Sequence, residues 1–173
     1  HVVREADIII LATPSAFLKK TLEPLRESLS DKFIISAIKG IIPDEYLTVA
    51  EYMNRFYEIP FSHIGIVTGP CHAEEVALEH LAYLTVVCTD QDNSEVLRAK
   101  FSTNYIRTVS STDIYGIEYA TVLKNIYAIA VGIAAGLGYG DNFIAVLLAN
   151  CSIEMERFVT ETYPSERQTR ASA

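Results

Sequence analysis

The residue least like its surroundings is Lys124. It lies among Leu123, Ile126, Tyr127, Ile129 and Ala130, in a stretch with almost no other charge. A lysine in such a place must snorkel, pair, or line a polar cavity. Burial disfavours the charged ammonium, and a lysine of lowered pKa exchanges protons near neutral pH. Glu118 is the nearest acid on the same segment, but its spacing of six residues does not match helical neighbours at three or four. Any partner must come from elsewhere. Lys39 is the second candidate, because it follows an apolar run in Ser36-Ala37-Ile38-Lys39-Gly40. An exposed surface lysine is the commoner fate.

Two further loops carry Pro, Gly and small polar residues. One is Ala12-Thr13-Pro14-Ser15-Ala16-Phe17, with Ser15 expected to cap the helix that follows. The other is Thr68-Gly69-Pro70-Cys71-His72-Ala73. Cys71, His72, Glu74 and Glu75 suggest a metal site or a Cys/His nucleophile. Adjacent side chains on such a turn point in different directions, however, and two acids in a first helical turn complement the helix dipole. The Gly136-x-Gly138-x-Gly140 run follows a helix instead of a strand, so it is no dinucleotide fingerprint. It reads as a helix–helix turn with Asp141 as N-cap.

The elements that must position these residues alternate. Strand-like runs are expected at 7–12, 33–37, 63–67, 84–88 and 106–110, with helices at 15–29, 47–57, 73–81 and 94–101. Near-continuous apolar strands alternating with helices imply a parallel sheet covered on both faces. The three loops above then share the carboxyl edge, where open α/β sheets bind ligands. From Asp113 the pattern changes to two long apolar helices, 114–138 and 143–163, which indicates a second, helical domain. The expected division is 1–112 and 113–173. The first of these helices is long enough to span a membrane, but Glu118, Lys124 and Asn125 lie inside it, so the expectation is a helix buried in a soluble protein.

Composition narrows the classes. The chain has 173 residues, 50% hydrophobic and 21% charged, which excludes a disordered tail. A net charge of −8 disfavours nucleic acid and anionic membranes as partners. Cys71, Cys88 and Cys151 are scattered and show no metal-knuckle spacing, so a reducing cytoplasm is the expected compartment and no metal site is expected. The chain opens on His1 and soon enters Ile8-Ile9-Ile10-Leu11. This reads as the middle of a fold, so truncation is the expectation.

These segments also carry a resemblance. Ala6 to Ser15, Ser36 to Gly40, Gly69 to Val76, Gly116-Ile117-Glu118 with Leu123 to Ala130, and Gly136 to Asn142 occur in the order and spacing of NAD(P)-dependent glycerol-3-phosphate dehydrogenases of bacterial type. The resemblance covers nearly the whole chain. It implies a Rossmann-like domain, here truncated at its N-terminus, followed by the start of an all-α C-terminal domain. It also implies hydride transfer between NAD or NADP and the pair dihydroxyacetone phosphate and sn-glycerol 3-phosphate, feeding glycerophospholipid synthesis.

On this resemblance Lys124 matches the catalytic lysine and Asn125 a position near the substrate. Lys39 matches a lysine shared by substrate and cofactor. Gly69 and Cys71 match substrate-loop positions, Ala73 a cofactor contact, and Phe17 an aromatic beside the cofactor in some relatives. Cys71 stands where many relatives have Ser, and Asn150-Cys151 where many have Arg-Gly. The glycine fingerprint and the later phosphate-binding segments of the family are absent, so the chain alone is expected to be inactive. Apolar faces on the helical part suggest a homodimer. The rival readings are another two-domain dehydrogenase, acting on a hydroxy acid or hydroxyacyl thioester, and a non-catalytic α/β binding module.

Overall fold

The computed structural model describes residues 2–164. They divide after Ile114 into two compact units. The first unit holds a five-stranded sheet in sequence order: β1 (Ile8–Leu11), β2 (Phe33–Ser36), β3 (Ile64–Thr68), β4 (Ala82–Cys88) and β5 (Ile106–Ser111). Around it lie α1 (Val2–Glu5), α2 (Ser15–Leu22), α3 (Val49–Tyr57), α4 (Ala73–Ala77) and α5 (Gln91–Phe101).

The sheet is mostly parallel. β1, β2 and β3 run together, with Ile8 beside Phe33 and Ile34 beside Ile64. β4 departs from the expected parallel order and runs antiparallel to β3, pairing Thr68 with Thr85 and Gly65 with Cys88. β5 then runs parallel to β4. The reason lies in α4. A parallel return needs a crossover that carries the chain back along the sheet, and five helical residues rise only about 7.5 Å. The helix stops short of the expected 73–81, and the chain re-enters the sheet from the edge it has just left.

Local chemistry sets the other boundaries. Pro24 has no N–H to donate and ends the α2 ladder, so the expected helix to residue 29 continues only as a 3₁₀ turn over Glu23–Ser28. Thr48 and Glu51 form a capping box at α3: Thr48 Oγ1 accepts from the Glu51 N–H and the Glu51 carboxylate accepts from the Thr48 N–H. Asp90 accepts from the Asn93 N–H at 2.8 Å and starts α5. Beneath α5, Ile35, Val86, Cys88 and Leu97 form a buried cluster flanked by Phe33, Val67 and Phe101. Burying each large side chain there contributes about 1.5–3 kcal/mol.

The second unit is a helical hairpin of α6 (Ile114–Gly136) and α7 (Asp141–Thr162). Gly138, at φ +84°, lets the chain reverse between them. The N-cap of α7 is Gly140, and Asp141, the expected cap, is the first helical residue. Tyr119 and Tyr163 hydroxyls lie 3.0 Å apart and Tyr115 stacks on Tyr163, tying the open ends of the hairpin.

The expectation of a buried core helix at 114–138 does not hold here. Only 11% of the most apolar window of α6 is buried, and Ile126, Ile129 and Ile133 are more than half exposed. Two helices cover only one stripe of each other, and an all-round apolar helix needs more neighbours than that. Among the described residues, α6 is the one helix long and apolar enough to cross a membrane. Glu118 and Lys124 within it make a span costly.

Candidate functional site

The Lys39 turn is built from β2. Ser36, the last residue of that strand, is fully buried, and its Oγ accepts from the Ile38 N–H at 3.2 Å. This side-chain turn bends the backbone out of the sheet. Gly40 follows at φ +136°, and a Cβ there would come within 3.1 Å of Ser15 Oγ. Ser15 opens α2, so the turn after β2 lies against the first turn of α2. Ser15 is not the cap expected of it: Pro14 holds that position, with no side-chain cap bond. Phe17, on the same first turn, is 60% exposed.

Gly69 sits at the end of β3 with φ +144°, and a Cβ would stand 2.3 Å from the Tyr83 carbonyl oxygen. Only glycine fits this approach of loop to strand. Cys71 is half-buried in the following turn, and Ala73 begins α4, exposed. Because β1, β2 and β3 are parallel, Phe17, Lys39, Gly69, Cys71 and Ala73 all belong to loops and helix starts at one carboxyl edge. Lys39 is exposed and makes no ion pair among the described residues. An exposed aromatic ring, an unneutralised cation and a helix start without a side-chain cap suit a ligand combining a flat ring with phosphates. A nicotinamide dinucleotide fits that description.

Lys124 and Asn125 belong to the second unit, and both are exposed. Sequence reasoning set Lys124 on a helix expected to be buried, where it must snorkel, pair or line a polar cavity. On this hairpin it instead rims a groove of about 420 Å³, with Tyr127, Val131, Leu148, Cys151 and Met155 among the residues behind it. Residues 124, 127 and 131 share one face of α6. Lys124 is the only charged side chain lining the groove, and it makes no ion pair among the described residues. Among the described residues, the buried ion pair that sequence left open is not found. The Lys124 ammonium stands at the rim of that groove.

Cys71, His72, Glu74 and Glu75 form no metal cluster; among the described residues no group of three His, Cys, Asp or Glu side chains is placed to hold an ion. Sequence reasoning missed Ser36 as the residue that shapes the Lys39 turn. Its signal was present: a serine closing an apolar strand two residues before a backbone N–H it can satisfy.

The chain was compared with known proteins. The N-terminal model of NAD-dependent glycerol-3-phosphate dehydrogenase matches residues 1–94, and the C-terminal model matches residues 113–172. A glycerol-3-phosphate dehydrogenase [NAD(P)+] of Corynebacterium jeikeium is 33% identical over 90% of this chain and 47% of its own. One from Macrococcus caseolyticus is 34% identical over 92% and 48%. The solved glycerol-3-phosphate dehydrogenase of Plasmodium falciparum superposes with a TM-score of 0.85 at 25% identity, over 94% of this chain and 46% of that one. The Saccharomyces cerevisiae enzyme gives 0.79 at 27% identity, over 94% and 48%. This chain thus spans about half the length of the relatives it matches. With consecutive models of one enzyme family covering both units, the chain belongs to the NAD-dependent glycerol-3-phosphate dehydrogenases.

Proposed function

We propose that this chain carries the proton-transfer and substrate-gripping residues of an oxidoreductase that interconverts dihydroxyacetone phosphate and sn-glycerol 3-phosphate. The observation that supports it most is Lys124: the one charged side chain on a groove lined otherwise by uncharged residues, with no ion pair among the described residues, and the residue that matches the catalytic lysine on the family resemblance. When bound, NAD or NADP supplies or takes the hydride.

The chain's own residues do the rest. In reduction, Lys124 donates a proton to the alkoxide that develops as the ketone carbon gains hydride, and in oxidation it takes the proton back. Lys39 adds positive charge toward the phosphate-bearing substrate, and Asn125 offers an amide to its oxygens. Gly69 and Cys71 present loop backbone to the substrate. Phe17, Lys39 and Ala73 hold the cofactor at the carboxyl edge. The three cysteines are free thiols, which suits the reducing cytoplasm we assign to it.

The test is turnover by the intact protein, read as NADH or NADPH oxidation with dihydroxyacetone phosphate, against the Lys124→Ala variant. A variant with near-normal turnover would sink the role of Lys124. Turnover of a hydroxyacyl thioester in preference to the triose phosphate would favour the rival dehydrogenase reading.

A further inference from the structure

One face of α2 grips the segment around Lys39 on both sides. Ser15 and Lys19 are four residues apart, hence neighbours on that face. Ser15 meets Gly40 immediately after Lys39. Lys19 Nζ lies 2.7 Å from Glu45 Oε1, six residues beyond Lys39. Between these contacts the chain is drawn into a compact turn. The Ile42 N–H donates to the Leu47 carbonyl at 2.8 Å, Ile42 is fully buried, and Asp44 and Tyr46 adopt positive φ of 71° and 55°. Two non-glycine residues in the left-handed region cost free energy unless their surroundings hold them there. Glu45 lies between the two, and its carboxylate is anchored across to α2.

We propose that Ser15, Lys19 and Glu45 are positioning residues, which set where the Lys39 ammonium stands and so tune affinity for the phosphate-bearing substrate. The inference rests on the substrate-binding reading of Lys39. The Lys19–Glu45 pair is part-exposed, 42% and 29% by side chain, so it contributes little to global stability. What it fixes is geometry, and small displacements of a binding cation are costly to substrate orientation.

The experiment is steady-state kinetics on the intact protein with dihydroxyacetone phosphate. Lys39→Ala comes first and is expected to raise KM. Lys19→Ala and Glu45→Gln should each raise KM about three- to fivefold, the range of an exposed ion pair, with kcat and the thermal midpoint unchanged. The reversed pair, Lys19→Glu with Glu45→Lys, should restore KM to within about twofold of the parent, which a merely structural role of either residue would not predict. If Lys39→Ala raises KM while Lys19→Ala or Glu45→Gln leaves it unaltered, or if the reversed pair fails to recover it, the positioning role is overturned. If Lys39→Ala leaves KM unaltered, the reading of Lys39 falls and takes this inference with it.

Discussion

A Cβ on Gly69 would stand 2.3 Å from a backbone carbonyl, whereas one on Gly132 or Gly136 of α6 would meet nothing within 4 Å. The same contrast runs through the two units. At the sheet edge, Lys39 and Cys71 stand on turns fixed by a buried serine hydroxyl, a left-handed glycine and parallel strand register. On the hairpin, Lys124 stands on regular helix whose apolar neighbours are largely exposed. The first unit therefore holds its candidate site residues by backbone geometry of its own. The second offers its lysine on a rigid rod and leaves its surroundings open.

Four measurements break or sharpen this contrast. The largest effect is expected at Lys124. Its replacement by Ala should lower kcat in the intact protein by about 10²–10⁴-fold, the usual range for a general acid. Circular dichroism should be unchanged, because the side chain is exposed. A loss of helicity matching the loss of turnover would show that the residue holds the hairpin instead.

Next come paired apolar truncations. Ile35→Ala, in the fully packed cluster, should cost about 2–5 kcal/mol in urea unfolding. Ile129→Ala, 65% exposed on α6, should cost less than about 0.5 kcal/mol. Equal losses would mean that the exposed face of α6 is covered in solution.

Glycine replacements follow. Gly69→Ala should destabilise by about 1–3 kcal/mol through strain at positive φ. Gly132→Ala should stabilise by up to about 1 kcal/mol, because it restores helix propensity in open space. Opposite signs at the two positions are the point of the comparison, and a shared sign would erase it.

The smallest effect concerns Glu95. Its carboxylate accepts from the Ser110 hydroxyl and from Arg98, which hold its pKa below the ordinary carboxylate value. A lowered folded-state pKa stabilises the fold above the unfolded value, and this is lost as pH falls through the folded value. Glu95→Gln should therefore reduce the thermal midpoint slightly at neutral pH and not at all in strong acid. A loss that persists unchanged in acid would assign the effect to packing instead of charge.

Much of the first unit was legible because its strands are short apolar runs punctuated by Pro and Gly. The direction of β4 was not. Its apolar run reads alike in either orientation, and only the length of α4 decides which way the chain returns. The exposure of Lys124 was also hidden. An apolar helix with one lysine predicts burial, but burial depends on how many neighbours the helix has, and periodicity carries no count of those.

By itself the sequence determined the order of the elements and the family, because residue type and spacing are local properties. Tertiary structure decided which residues share an edge. Parallel register gathers Phe17, Lys39, Gly69, Cys71 and Ala73 from residues far apart in the chain. It also decided that Gly40 meets Ser15 and Glu45 meets Lys19. Such contacts arise only when segments separated by about 25 residues fold onto one another, and no local pattern encodes the distance between them.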